Sequence, residues 1–280
     1  KKGAIDKGKQ IHEEIVRMGL MEKDIALGNA LLDMYVKCGM LEKAQNVFEE
    51  LPFHDVVSWS TLIFGYVQED QGHEALNCLH RMQSECLSPD VVTFICMLKA
   101  CGSIGAVSKG KQIHETIMNR DLLAKNTVLG TALVDMYCKC GSVENAEMIF
   151  IRLPRRNEVT CNALLLGHTL HKHIDNAFHV FNQMQQEGIK ASLATFLGIL
   201  KACSKVPMVD QGKNIHAQII ERQFGTDLCI QNSLINMYVK GSCMLDAYQV
   251  FDSLSCKDAV SFSSMMEVCY HFVKNNTAFR

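Results

Sequence analysis

Proline is scarce: the 280 residues hold four, Pro52, Pro89, Pro154 and Pro207, so little interrupts helix along most of the chain. There is no run of about 18 apolar residues, which excludes a helical membrane span. No basic, apolar and small-residue leader opens the chain. It starts part-way through a repeated segment, so a targeting peptide would lie upstream. Neither sign of charge is in excess, with a net charge of −2 and a pI of about 6.6. That excludes a strongly basic, non-specific nucleic-acid binder but not a reader that uses few charges. Glycines stand singly, so no phosphate-cradling loop is present. No Ser-His-Asp order or carboxylate pair marks a catalytic centre. The 48% apolar content excludes a disordered chain. Cysteine is not scarce: there are thirteen. Cys101 matches Cys203 and Cys38 matches Cys140 at repeat-equivalent places, and without a secretory leader they read as reduced core thiols.

The dominant feature is self-similarity. The segment 127–157, TVLGTALVDMYCKCGSVENAEMIFIRLPRRN, recurs at 25–55 and 228–258. A 35-residue segment follows at 56–90 and again at 158–192. Segments of 36 and 35 residues, 91–126 and 193–227, open with TFICMLKAC and TFLGILKAC two residues after their start. Residues 1–24 are the back part of such a segment, and 259–280 begin another. The full cycle is three unlike repeats of about 102 residues, marked by a GK-x-IH core at Gly8, Gly110 and Gly212.

Each repeat reads as two amphipathic helices. The second carries apolar residues at i, i+3, i+4 and i+7, as in Ala44, Val47, Phe48 and Leu51 or Ala146, Ile149, Phe150 and Leu153. The series recurs as Ala75, Cys78, Leu79 and Met82, as Ala177, Val180, Phe181 and Met184, and as Ala247, Val250, Phe251 and Leu254. The first helix carries a matching stripe, such as Leu133, Val134, Met136 and Tyr137. Gly39 and Gly141 are predicted to cap C-termini. Ser58, Thr93, Thr160, Thr195 and Ser261 are predicted to cap N-termini. A hairpin this short cannot bury both stripes alone, so the expected fold is an all-α solenoid, a superhelical stack of helix-turn-helix repeats.

Residues with catalytic or metal-binding potential are few. His12, His114 and His216 recur where Phe48 and Phe150 stand, and read as half-buried helix histidines. His12-Glu13-Glu14 matches half of a zinc-deaminase signature, but no proline precedes a cysteine to complete it. Cys138-Lys139-Cys140 is too closely spaced for a zinc hairpin. His168, His171 and His173 cluster near one helix end and are not read as a functional metal site. No cofactor is implied.

Variation concentrates at the joints between repeats. The fifth residue of successive repeats is Asn29, Ser60, Ile95, Thr131, Asn162, Leu197, Asn232 and Ser263. The last is Asp24, Asp55, Asp90, Asn126, Asn157, Ser192, Asp227 and Asp258, and the second is a small apolar residue, including Val57, Val128, Val159 and Val260. Asn both donates and accepts, Ser and Thr carry a rotatable hydroxyl, and Asp only accepts. Such a set can read a base edge while the apolar residue packs on its face. Asp or Asn just before a helix is equally ordinary capping chemistry, and the residues alone leave both readings open.

With NALLDMYVKCG, VVSWSTLIFGY…MQSECLSPD and TFICMLKAC…GKQIH alternating at 31, 35 and 35–36 residues, the whole chain resembles plant pentatricopeptide repeat proteins of the PLS subclass. In that likeness 25–55, 127–157 and 228–258 are S repeats, 56–90 and 158–192 are P repeats, and 259–280 is a partial P. Segments 91–126 and 193–227 are L repeats, and 1–24 is a partial L. The resemblance implies single-stranded RNA binding in a mitochondrion or chloroplast, one base per repeat, read 5′ to 3′ from the N-terminus. It implies a part in C-to-U editing or other transcript processing, with editing-complex proteins as further partners. The family's deaminase is a separate C-terminal domain whose motifs are not among these residues. Fifth and last residues select the base, and neighbouring second residues sandwich it.

Carried over, Asn29 with Asp55 implies U, Ser60 with Asp90 implies G, and Thr131 with Asn157 implies A. Asn162 with Ser192 implies a pyrimidine, taken as C, and Asn232 with Asp258 implies U. Ile95 and Leu197 cannot hydrogen-bond a base, so the implied register is U-G-N-A-C-N-U. The runner-up, a protein-binding tetratricopeptide-like scaffold, has a uniform period of about 34, unlike these segments. The sequence departs from the family pattern at Gly241-Ser242, Ser255, Cys161, His168 and Ala191-Ser192. The assignment predicts that Thr131→Asn with Asn157→Asp shifts one letter from A toward U. A gel-shift comparison of the two RNAs checks this, and an unchanged preference would count against it.

Overall fold

A computed structural model describes residues 2–21, 23–124, 126–206 and 208–266. The chain forms two compact units, Lys1–Pro154 and Arg155–Arg280, and among the described residues every regular element is a helix. The first unit holds α1 (Lys2–Arg17), α2 (Ile25–Lys37), α3 (Leu41–Glu50), α4 (Val56–Gln68), α5 (Gly72–Ser84), α6 (Val91–Ser103), α7 (Val107–Asn119), α8 (Thr127–Lys139) and α9 (Val143–Arg152). The second holds α10 (Glu158–Leu170), α11 (Ile174–Gln186), α12 (Leu193–Lys205), α13 (Val209–Glu221), α14 (Leu228–Lys240) and α15 (Met244–Asp252). Residues 259–266 begin a further helix. The rest of the segment expected at 259–280 lies outside the described residues, as does Pro207. None of the described helices is long and apolar enough to cross a membrane.

The helices pair as hairpins that stack through their first members. In the first unit α2 packs on α3 and α4, α4 on α5 and α6, α6 on α7 and α8, and α8 on α9. In the second, α10 packs on α11 and α12, and α12 on α13 and α14, while α14 packs on α15. A first helix is thus covered by its own partner and by its neighbours. This accounts for burial around much of α6, from Phe94 and Cys96 to Met97 and Leu98. Second helices bury one stripe, and the expected positions are inside, including Ala44, Val47 and Phe48, Ala75 and Leu79, Ala146 and Phe150, and Ala177 and Phe181. Phe251 departs from the pattern. It is half-buried and meets Phe262 edge-on at 5.6 Å between ring centroids. Full burial of one such side chain contributes about 1.5–3 kcal/mol, so the stripes are the main cohesion between hairpins.

The GK-x-IH core has a packing explanation. A Cβ on Gly110 would lie 2.5 Å from Met136 Sδ, and one on Gly212 would lie 2.5 Å from Met237 Sδ. Glycine there lets a second helix close on the next first helix. One turn further on, His114 Nδ1 hydrogen-bonds with Tyr137 Oη at 3.0 Å, as do His12 with Tyr35 and His216 with Tyr238 at 2.9 Å. Burial lowers the pKa of His114 and of His216, which favours the neutral imidazole beside the phenol. The recurring histidines are half-buried packing residues, and their tyrosine partners are what the sequence reading missed.

Two expectations need correction. Ser58, Thr93, Thr160, Thr195 and Ser261 are not N-caps. The caps of α4, α6, α10 and α12 are Asp55, Asp90, Asn157 and Ser192, three residues earlier, and Asp258 takes the same role before Ser261. At that spacing the hydroxyl reciprocates: Ser58 N–H donates to Asp55 Oδ1 at 2.8 Å, and Asp55 N–H donates to Ser58 Oγ at 3.1 Å. The residue three before the hydroxyl is the last one outside the helix and so takes the cap, and where it is Asp55, Asp90 or Asp258 the helix dipole favours its charge as well. The cysteine pairs also divide. Cys101 and Cys203 are buried free thiols, pushed up to about 12 and about 11 by burial. Cys38 is exposed and Cys140 half-buried, because both sit at the C-caps of α2 and α8.

The predicted C-terminal glycines follow those caps. Gly39 and Gly141 adopt φ of +72° and +78°. Ser242 holds the same place after α14 with φ +59°, and the next N–H, of Cys243, donates to Tyr238 O at 2.9 Å. A non-glycine residue in this conformation costs about 1–2 kcal/mol. Ser242→Gly should therefore raise stability by roughly 1 kcal/mol and Gly141→Ser should lower it similarly. Thermal unfolding checks both, and a fall in midpoint for Ser242→Gly would refute the assignment of strain.

Candidate nucleic-acid interface

Within each unit first helices stack side by side, and at two joints the cap of one bonds to the fifth residue of the one before. In the first unit Asn29 Nδ2 donates to both carboxylate oxygens of Asp55, at 3.2 and 3.3 Å. In the second, Asn232 Nδ2 donates to both oxygens of Asp258, at 3.3 and 3.4 Å. A carboxylate can only accept, so it holds the amide by its NH₂ edge and fixes which way the side chain is turned. The opposite atom, Oδ1 of Asn29 and of Asn232, is buried and has no hydrogen-bond partner. An acceptor in that state costs free energy until a donor reaches it.

The carboxylates are held as ions. Burial pushes the Asp55 carboxyl up, but bonds from the Ser58 N–H and hydroxyl, the Asn29 amide and the Val57 N–H outweigh it, and the net pKa is lowered. Asp258 is lowered too, chiefly by the Ser261 N–H. The N-termini of adjacent first helices within a unit therefore share one side, where dipoles favour anions and the caps partly offset them.

The other fifth residues differ. Ser60 donates its hydroxyl to Val56 O, and Thr131 donates to Thr127 O at 3.0 Å. Asp90 and Asn157 are engaged as caps, accepting from Thr93 N–H at 2.8 Å and Thr160 N–H at 2.9 Å. Asn162 Nδ2 donates to Glu158 Oε1 at 3.2 Å, and its Oδ1 is buried and unpartnered. Ser192 N–H donates to Thr195 Oγ1 at 3.2 Å while the Ser192 Oγ has no partner. Ile95 and Leu197 are half-buried and offer only hydrocarbon. Beside these residues the second-position valines stand out of the core: Val57 is 55% exposed, Val128 61%, Val159 62% and Val260 56%. A β-branched apolar residue repeated on the surface offers an apolar face for a ligand to pack on. Among the described residues no three His, Cys, Asp or Glu side chains are grouped for a metal ion.

The joint was legible as a set of variable polar residues. The direct Asn–Asp bonds were not, since their partners are 26 residues apart. Glu158 was also missed. Its signal was an acidic residue at a repeat's first position, where the other repeats have Ile, Val, Thr, Leu or Ala.

Comparison with known proteins is consistent throughout. A sequence model of the PPR repeat family matches residues 54–103 and 156–205, and a PPR repeat model matches 29–56, 131–158 and 232–258. A mitochondrial pentatricopeptide repeat-containing protein of Arabidopsis thaliana is 34% identical over 259 residues, 92% of this chain and 41% of that protein. A chloroplastic one from the same plant is 31% identical over 92% of this chain and 42% of its own length. The chain thus spans about two fifths of these curated relatives. The crystal structure of the pentatricopeptide repeat protein PPR10 from maize superposes with a TM-score of 0.77 at 18% identity, over 99% of this chain and 42% of that one. PPR10 in complex with an 18-nt psaJ RNA element gives 0.77 at 20% identity, over 94% of this chain and 40% of that one. At such identities the likeness is one of fold, an α-solenoid of helical hairpins.

Asp55 supplies a test of the joint. With its pKa lowered, its contribution to stability is in place above the ordinary carboxylate value of about 3.9 and is lost as pH falls through the lower folded value. A carbon-13 titration should place its midpoint below that of a model Asp, and Asn29→Ala should move it upward. An unmoved midpoint would mean that the amide does not hold the carboxylate.

Proposed function

The chain belongs to the pentatricopeptide repeat family, and on that premise we propose that it binds single-stranded RNA in a sequence-specific way, one base to each repeat. The observation that carries the proposal is the Asn–Asp pair at the joint, which holds the amide by its NH₂ and leaves its oxygen without a partner. Uracil offers an N3–H to that oxygen and an apolar face to the valine, so Asn29 with Asp55 and Asn232 with Asp258 read U. Ser60 and Asp90 both accept, which suits the N1–H and amino group of guanine. The family resemblance pairs Thr131 with Asn157, and a hydroxyl with an amide donor suits the amino group and the N1 acceptor of adenine. Val57, Val128, Val159 and Val260 pack on the base faces. The solved complex of maize PPR10 with an RNA element supports an RNA ligand for this fold.

Aromatic stacking contributes about 1–3 kcal/mol per base in single-strand binders. Valine packing contributes less, so several joints acting together are needed at a net charge of −2. The repeat boundaries at 25–55, 56–90, 91–126, 127–157, 158–192, 193–227 and 228–258 and the PLS alternation belong to this reading. So does the register U-G-N-A-C-N-U, in which the fifth letter is a pyrimidine. The parent protein acts on mitochondrial or chloroplast transcripts, a reading supported by the mitochondrial and chloroplastic relatives, and directs editing or processing with editing-complex proteins.

Selection from a randomised RNA pool at moderate salt tests this. Enriched RNAs should carry U-G-N-A, with competition by matching but not by shuffled RNA. Enriched RNAs without G and A two letters apart would overturn the register, and no enrichment would overturn RNA binding by this segment.

A further inference from the structure

The joint after α10 lacks what holds the reading amide elsewhere. Its cap is Ser192, so no carboxylate arrives from the next hairpin. The family resemblance reads this pair as C. Yet the Asn162 amide is held as the other two are. Its Nδ2 donates to Glu158 Oε1 at 3.2 Å, one turn back on the same helix. Its Oδ1 is buried and unpartnered, the state also found for Asn29 and Asn232. All three amides give their NH₂ to a carboxylate and keep their oxygen free. Only the source of the carboxylate differs. The residues opening the other repeats, such as Ile25, Val56, Thr127 and Leu228, have no acid to offer.

We propose that Glu158 is a positioning residue that replaces the missing cap carboxylate, turns the Asn162 oxygen toward the RNA, and makes this repeat prefer U over C. The proposal rests on the RNA-binding reading above and changes its fifth letter. The chemistry is direct. Uracil N3 carries a hydrogen and donates to the Asn162 oxygen. Cytosine N3 carries a lone pair, which that oxygen repels. To read cytosine the amide must turn over and present its NH₂, which breaks the bond to Glu158 and sets Oδ1 against its carboxylate. Ser192 has a rotatable hydroxyl that donates or accepts, so it does not enforce either base.

The test measures binding of the 280-residue chain to two RNAs, U-G-A-A-U-A-U and U-G-A-A-C-A-U, which differ only at the fifth letter. Wild type should favour the U form by about tenfold, the worth of one hydrogen bond lost and an acceptor left facing an acceptor. Glu158→Ala should abolish or reverse that preference. Glu158→Ala with Ser192→Asp should restore it, because the carboxylate then comes from the cap. Discrimination of U from C at the first letter, read by Asn29, should stay unchanged in every variant. A second measurement needs no RNA: the Asn162 side-chain amide resonances should shift in Glu158→Gln, with thermal unfolding checking that the variant folds. A wild-type preference for C, or a U preference untouched by Glu158→Ala, overturns the proposal while leaving RNA binding standing. Failure of wild type to bind either RNA overturns the RNA-binding reading and the proposal with it.

Discussion

The interaction on which this structure depends is the cap at the start of each first helix. A short polar residue accepts from the helix's own N–H groups, as Asp55, Asp90 and Asn157 do, and each cap contributes about 1 kcal/mol. The larger consequence is positional. Capped ends of adjacent first helices within a unit lie on one side, so Asp55 and Asp258 each meet the fifth residue of the helix before. Where the pair is Asn and Asp, the residue that caps a helix also fixes the orientation of an amide on the helix before it. Capping a helix and holding a neighbouring amide are therefore compatible roles for one side chain. The carboxylate has two oxygens, enough to accept from the helix N–H groups and from the amide together.

Packing makes this possible by being monotonous. The stripe of small and apolar residues on each second helix is buried in much the same way from one hairpin to the next, and Gly110 and Gly212 let α7 and α13 close on Met136 and Met237. A cohesive term that repeats leaves a few polar positions free to vary, because changing Asn29 to the Ser60 type leaves the stripe intact. The cost appears where the pattern lapses, as at Ser242 in a left-handed conformation that glycine takes in the sister repeats.

Most of the fold was legible in order along the chain. Helical period, repeat length, C-terminal glycines and the burial of Ala44, Phe48, Ala146 and Phe150 all follow from residues one or two turns apart. The candidate site was legible in its membership, since Asn29, Asp55, Ser60 and Asp90 stand out as polar variation against a constant core. Its internal bonding was not. Ser58 and Thr93 looked like caps because hydroxyl residues favour that role, and only the geometry shows that a carboxylate three residues earlier takes it. The histidines of the GK-x-IH core were recognisable as periodic, but nothing local indicated Tyr35, Tyr137 and Tyr238.

By itself the sequence determined the hairpin, its repetition and the family, because these rest on helical periodicity and on spacings of a few tens of residues that any copy repeats. Tertiary structure decided which side chain faces which across a joint. Asn29 reaches Asp55 across 26 residues, whereas Asn162 turns back to Glu158 only four residues away. That choice depends on where a carboxylate oxygen lies relative to an amide within about 3 Å, a distance set by how two first helices stack and absent from the order of the letters.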